Sequence, residues 1–575
     1  MRGRVAVAAA TIVLGVLFVV PPDPVTRLYV SAGPPPLEGS ADPSGRVVPG
    51  SGRQSPSPPP TVVVGRAPKN VRVTRDGTPG SYRRADGATD ATMLACSTGR
   101  REQNEPAVAV DPSNPKVVVI AANDYCAAMT SGDAWLGLYR STDGGRTWID
   151  SLVPGYPTDG SAAGQASPAH GRCSVASDPT VGFDAGGRLF VGFICFDRAE
   201  KRRGEAGLVG SSTFVARYED HGARYVGTTL VSRGTPDRNE DKINMTVDPT
   251  RGRFGGNVYA AWVQLAEPTE EGFPRDPLLF ARSRDHGKTF SKPFPVSELV
   301  HARFPDVTVG PDGSVYAAFR SGTTLWIARS TDGARTFQSP VQIAASLVPF
   351  DSSQFSAGSG DDCGVGRLRC HSGLVFSRFD TQVAVAVDEA GVHAVWNERV
   401  GGGQSKLMVR NSPNGVTWSP PVQIDRVAAG HQYFPDVVSG AGVITVAFYD
   451  SRNDPAYAPL LPPGNTAEGK SSGGAVDVYV AQSRDGGRSW TERRITTRSS
   501  NFNYLSPGNL PFWGDYLYAS AAGPVVQVAW TDSRNFKAKR KGSFAGDNPC
   551  GTKPFVNDPC LSAGGSDQNI YTARL

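Results

Sequence analysis

Ser141-Thr142-Asp143-Gly144-Gly145-Arg146-Thr147-Trp148 decides the fold, because the chain keeps returning to it. The pattern Ser-x-Asp-x-Gly-x-x-Trp/Phe recurs at 283–290 with Asp285 and Gly287, and at 483–490 with Asp485 and Gly487. A fourth copy, 330–337, keeps Asp332 but carries Ala334 in the glycine position. Two copies are worn: 218–225 retains Asp220 and Gly222, while 411–418 retains Gly415 and Trp418 with Pro413 in the aspartate position. Copies separated by roughly 45–80 residues describe one supersecondary unit used many times. The chemistry is that of a tight turn. Aspartate accepts from nearby backbone N–H groups, glycine supplies a positive φ, and the closing aromatic is a large apolar ring to bury between sheets.

Around each turn the same phrase repeats. An alternating apolar run leads to a second run ending in an aromatic, and a third run enters the turn. Runs such as Val315-Tyr316-Ala317-Ala318-Phe319 and Val526-Gln527-Val528-Ala529-Trp530 have period 2 and read as strands. Seven first strands open near Glu105, Asp178, Lys242, Phe304, Thr381, Phe434 and Gly514, against six turns. The seventh unit stops at Leu575 without its outer strand, so a strand from 61–64 or 71–74 is expected to fill the slot and hide the open edge.

These turns resemble the Asp box, or BNR repeat, of sialidases and related β-propellers. The resemblance implies an all-β chain folded as a single propeller of four-stranded blades, with the boxes serving structure away from any active site. The unit count predicts seven blades; six, the sialidase number, is the alternative.

Residues 1–20 place Arg2 and Arg4 before an apolar run from Val5 to Val20, the pattern of a cleaved signal or a retained membrane anchor. Residues 21–60, rich in Pro, Gly and Ser, read as an extended tether, leaving 61–575 for the propeller. The eight cysteines suit that exported setting. Local pairing predicts Cys96–Cys126, Cys173–Cys195, Cys363–Cys370 and Cys550–Cys560. Lys+Arg 59 against Asp+Glu 54, interspersed, gives no basic stripe for nucleic acid.

Long insertions at 155–172, 198–211, 266–276, 342–377, 451–474, 494–512 and 535–567 fall on the face opposite the repeat turns, where a binding site is expected. Second-strand ends carry Asp450-Ser451-Arg452-Asn453 and Asp532-Ser533-Arg534-Asn535, and first-strand starts contribute further charge near the axis. Sialidases hold the substrate carboxylate with three arginines and use a tyrosine nucleophile. By that resemblance the expected catalytic residues are Arg303, Arg378, Arg452, Arg534, Tyr433 and Tyr516, acting on terminal acidic sugars. An Asp-x-Arg that recurs in several blades also has a structural reading, a local salt bridge closing a turn. The function expected is therefore an exported sialidase-like propeller engaging a glycan, with a non-catalytic cell-surface propeller binding protein or polysaccharide as the alternative. No cofactor is expected. Residues 464–471 match the phosphate-loop pattern letter for letter, but they sit between Pro462-Pro463 and Gly473-Gly474 and read as a loop, not a nucleotide site. Asn244-Met245-Thr246 is a formal glycosylation sequon inside an expected strand.

Overall fold

The structure is a computed structural model. It describes residues 61–62 and 67–575, less 85–86, 128–129, 131–133, 199–207, 236–237, 267–274, 346, 348–362, 366–367, 370–379, 426, 460–462, 465–471, 502–512 and 536–567. The expected signal or anchor and tether at 1–60, and Cys370, Cys550 and Cys560 of two expected disulfides, lie outside the described residues.

Seven antiparallel blades form the molecule. Blade one runs Gln103–Val110, Val118–Asp124, Trp135–Ser141 and Ile149–Leu152. Blade two runs Val175–Phe183, Leu189–Arg198, Leu208–Glu219 and Arg224–Arg233. The next three begin at Arg238–Val247, Ala302–Val309 and Val383–Asp388, and each closes with its own fourth strand. Blade six is Gln432–Gly440, Val443–Asp450, Asp477–Ser483 and Thr491–Arg494. Blade seven has Tyr518–Ala522, Val525–Asp532 and Asn569–Arg574, and its outer strand is Val71–Arg72, antiparallel to the last. Of the two closing strands the sequence left open, the structure uses this one. Thr61–Val62 instead adds a fifth, parallel strand to blade six. Asn70 pins the crossing between them: its Oδ1 accepts from Thr497 N at 2.7 Å, and its Nδ2 donates to Ile495 O at 2.8 Å. Adjacent first strands touch one another round the ring, the seventh meeting the first.

The period-2 pattern explains where the core sits. Alternate residues of a strand face opposite neighbours, so apolar clusters lie between blades rather than within one. Ala384 and Ala386 pack toward blade six with Val446 and Phe448, while Val383 and Val385 pack toward blade four with Tyr316 and Ala318. Polar first-strand side chains also reach across. Thr180, Asn244, Asp306 and Asp436 accept from the backbone N–H of Met245, Val307, Val385 and Ala519, each in the following blade.

The repeat turns form as their residues require. In the first, Asp143 Oδ1 accepts from the N–H groups of Arg146 and Thr147, both at 2.9 Å, and Gly145 N donates to Ser141 Oγ at 2.9 Å. Trp148 is buried at 3% exposure, its indole N–H donating to Gly145 O. The copy at 411–418 corrects the sequence alignment. Asn414, not Pro413, holds the aspartate role, accepting from Val416 and Thr417 N–H while Gly415 N donates to Ser412 Oγ. That turn is one residue shorter. The copy at 218–225 uses its aspartate differently, since Asp220 binds the Arg224 side chain.

A helix at Ala91–Thr98 was not foreseen. Asp90 caps it, its carboxylate accepting from Met93 N at 2.9 Å, and the Cys96–Cys126 disulfide ties it to blade one. Cys173–Cys195 forms as expected. Asn244 is 6% exposed and its amide is engaged by Tyr518 and Val307, which removes it as a glycosylation acceptor.

Candidate functional site at the axial mouth

The first strands start on the face opposite the repeat turns, and there they line the mouth of a narrow axial channel. Five of them bulge as they enter, two residues against one on the second strand. In each the bulge holds a residue in the left-handed region: Glu105, Asp178 and Lys242 at φ 54°, Phe304 and Phe434 at φ 49°. Such a conformation costs a non-glycine residue on the order of 1–3 kcal/mol, so a packed surround must hold it. Three of the five are charged; Lys242 and Phe304 line the mouth, while Phe434 packs with Tyr433, Tyr449 and Trp513.

The charged three meet across the blades. Lys242 Nζ, from blade three, bonds Asp515 of blade seven and stands 3.5 Å from Asp178 Oδ2 of blade two. Asp515 N donates to Glu105 Oε1 at 3.0 Å, and Asn123 Nδ2 donates to Glu105 Oε2 at 2.6 Å. Gln382 of blade five donates to the Asp515 carbonyl at 2.6 Å. Burial alone would lower the Lys242 ammonium, but Asp178 and Asp515 outweigh it and hold it well above its ordinary value. Tyr516 lines the same mouth and packs edge-on to Tyr518 with centroids 5.1 Å apart. Burial, then Glu105 and Asp178, push its phenol up. Its hydroxyl has no hydrogen-bond partner among the described residues. Three carboxylates against one ammonium make the mouth acidic. It can donate and accept hydrogen bonds, and it disfavours an anion.

Of the six residues expected from sequence, five are described, and four of these stand away from the mouth. Arg452 forks onto its own blade's Asp450, Nε to Oδ2 at 2.7 Å, reaches Glu492 at 2.8 Å, and lies 4.1 Å above the Tyr479 ring. Arg534 repeats this with Asp532 at 2.7–2.9 Å and Tyr571 at 4.2 Å. Both are under a tenth exposed. Arg303 pairs with Asp276 at 2.9 Å and is partly exposed. Tyr433 is fully buried, stacked on Tyr449 with centroids 5.6 Å apart and flanked by Phe434 and Trp513. Arg378 lies outside the described residues. Of the six, Tyr516 stands in the axial cluster. Sequence reasoning placed Asp515 near the axis but did not select Glu105, Asp178 or Lys242; the signal was there, charge in the first-strand slot where blades four and six carry Phe304 and Phe434.

No family model matches the chain, and no curated protein matches it. Among solved structures, a protein of unknown function from Dyadobacter fermentans is similar at 15% identity, covering 67% of this chain and 94% of its own, with a TM-score of 0.37. A leech intramolecular trans-sialidase is similar at 12% identity, covering 64% and 69%, with a TM-score of 0.37. An alpha-L-arabinofuranosidase from Fusarium graminearum is similar at 11% identity, covering 73% and 99%, with a TM-score of 0.39. None of these likenesses bears on the site. In its fold the chain is a seven-bladed β-propeller, with Ser-x-Asp turns between the third and fourth strands of blades one, three, four and six.

Proposed function

We propose that the protein is an extracytoplasmic propeller that engages a glycan at the axial mouth, taking a neutral or basic sugar there. The observation that carries this is the cross-blade cluster of Glu105, Asp178, Lys242 and Asp515 around the unpartnered Tyr516 hydroxyl. Buried charges brought together on strained bulges are the usual mark of a site. Sugar hydroxyls suit a mixed array of carboxylate, ammonium and phenol, since each hydroxyl both donates and accepts. An acidic sugar would need the arginine clamp. Arg452 and Arg534 are committed to their own blades' aspartates and Arg303 to Asp276, which favours the binding reading over cleavage of sialosides. Export is supported by the two disulfides, which belong to oxidising compartments. The apolar N-terminal run is assigned to a signal or anchor on its sequence.

The test is a glycan array spanning neutral, amino and sialylated chains, run beside fluorogenic glycosides, for the wild type, Tyr516→Phe and Arg303→Ala. Binding to neutral or amino sugars that falls in Tyr516→Phe supports the reading. Sialoside cleavage that disappears in Arg303→Ala would overturn it in favour of a sialidase.

A further inference from the structure

A second cavity lies far from any repeat of the axial pattern, on the outer side between blades one and two. It is an open groove of about 560 Å³ bounded by the outer strand Ile149–Leu152, the insertion at 155–172 and the turn at 218–225. Three tyrosines line it, Tyr156, Tyr218 and Tyr225, with Leu152 between them and Arg84 and Arg224 at the rim. Tyr218 and Tyr225 meet edge to face with centroids 5.4 Å apart, and Tyr225 remains partly exposed.

Two of the three hydroxyls are already used. Tyr156 donates to Asp90, and Tyr225 bonds Thr228 Oγ1 at 2.8 Å. Tyr218 differs. It is 3% exposed, burial pushes its phenol well up, and its hydroxyl has no partner among the described residues. A buried hydroxyl left unsatisfied costs about 1–3 kcal/mol, which a ligand could recover. The charges around the groove are committed. Asp159 accepts from Gly155 N, Ser161 N and Ser161 Oγ at 2.6–3.0 Å, Arg224 binds Glu219 and Asp220, and Arg84 stands 3.6 Å from Asp90. The occupant is therefore neutral, with an apolar face for the rings and a hydroxyl for Tyr218. A pyranose ring has both; a lipid chain would leave the phenol unanswered.

We infer that this groove is a second glycan subsite, holding one neutral hexose of a polysaccharide independently of the axial mouth. The test is saturation-transfer NMR on the full chain with neutral hexasaccharides of glucose, mannose and galactose at millimolar concentration. At least one should give transfer in the wild type. In the Tyr516→Phe background, which weakens the axial mouth, Ala162→Trp, an exposed position lining the groove, should fill it and abolish the remaining signal with the melting temperature unchanged. Tyr218→Phe should weaken binding about tenfold, the loss of one hydrogen bond. Tyr516→Phe alone should retain the transfer that comes from the groove. Silence from all three sugars, or equal transfer with and without Ala162→Trp in the Tyr516→Phe background, overturns the subsite. Loss in Tyr516→Phe alone overturns it too, and assigns the sugar to the axial mouth.

Discussion

Arg452 and Lys242 are both basic, both largely buried and both flanked by two carboxylates, yet they sit in opposite kinds of arrangement. Arg452 closes on Asp450 two residues away and on Glu492 in the same sheet, and one blade later Arg534 closes on Asp532 in the same way, with Thr497 and Asn70 as its further partners. Lys242 has partners only in other blades, Asp178 and Asp515. The first arrangement recurs in blades six and seven because it closes within one blade; the second draws on three blades, which meet at the axis. In a repeat fold, a motif that returns belongs to its blade, and a charged residue that breaks the pattern of its slot points to the shared site.

That contrast can be broken by substitution. Trp148→Ala removes a buried indole between blades and should cost about 3–5 kcal/mol in chemical denaturation. A loss well below that range would mean that the repeat turns do not staple the ring. Arg452→Ala comes next. It leaves Asp450 and Glu492 buried without their cation, which typically costs about 3 kcal/mol or more. Glycan binding at the mouth should persist in whatever fraction still folds at lower temperature. A variant as stable as wild type but unable to bind would place Arg452 in the site after all.

Much of the fold was legible because it is written locally and many times. Each Ser-x-Asp turn is a short-range device, so its residues state its geometry, and the strand count followed from their spacing. Even the missing outer strand could be deduced, though not which of two segments fills it, since Asn70 makes that choice through Thr497 and Ile495, more than 400 residues away. The worn turn at 411–418 was misaligned because a one-residue deletion moved the aspartate role to Asn414. The site was legible only in part. Arg452 and Arg534 carry two readings in sequence, a ligand clamp and a local salt bridge, and their bonds to Asp450 and Asp532 are those of the second. Glu105, Asp178 and Asp515 are remote in sequence, and only the closing of the ring brings them together around Lys242.

A pH effect sharpens the axial side of the comparison. Burial raises the Asp306 carboxyl to about 6, against the pull of hydrogen bonds from Val385, Asn244 and Val307. The folded state therefore holds this proton more tightly than the unfolded chain. Its contribution to stability is full below the unfolded pKa of about 4 and is lost as pH rises through about 6. Asp306→Asn keeps an acceptor for Val385 N–H, as Asn244 does for Val307 in the preceding blade, and discards the buried charge. It should raise stability at pH 7.5 by about 1–2 kcal/mol and flatten the slope between pH 4 and 6. An unchanged slope would show the carboxylate to be well solvated in the channel.

The smallest effect tests the turns themselves. Ala334 occupies the slot that is glycine in the other well-formed copies, at φ 58°, where an L side chain is strained, and its N–H still donates to Ser330 Oγ at 3.0 Å. The turn keeps its bonds and bears the cost, on the order of 1 kcal/mol for a non-glycine residue held left-handed. Ala334→Gly relieves that strain, while the greater freedom of glycine in the unfolded chain offsets part of the gain. The side chain is also buried, so a little apolar contact is lost. Strain relief is the largest of these terms, and the variant should gain about 0.5 kcal/mol. The complementary change, Gly487→Ala, places a methyl 2.6 Å from the Asn411 amide at φ 83° and should lose about 1 kcal/mol or more. If both substitutions shift the denaturation midpoint in the same direction, backbone strain does not govern these turns, and packing against the neighbouring blade does.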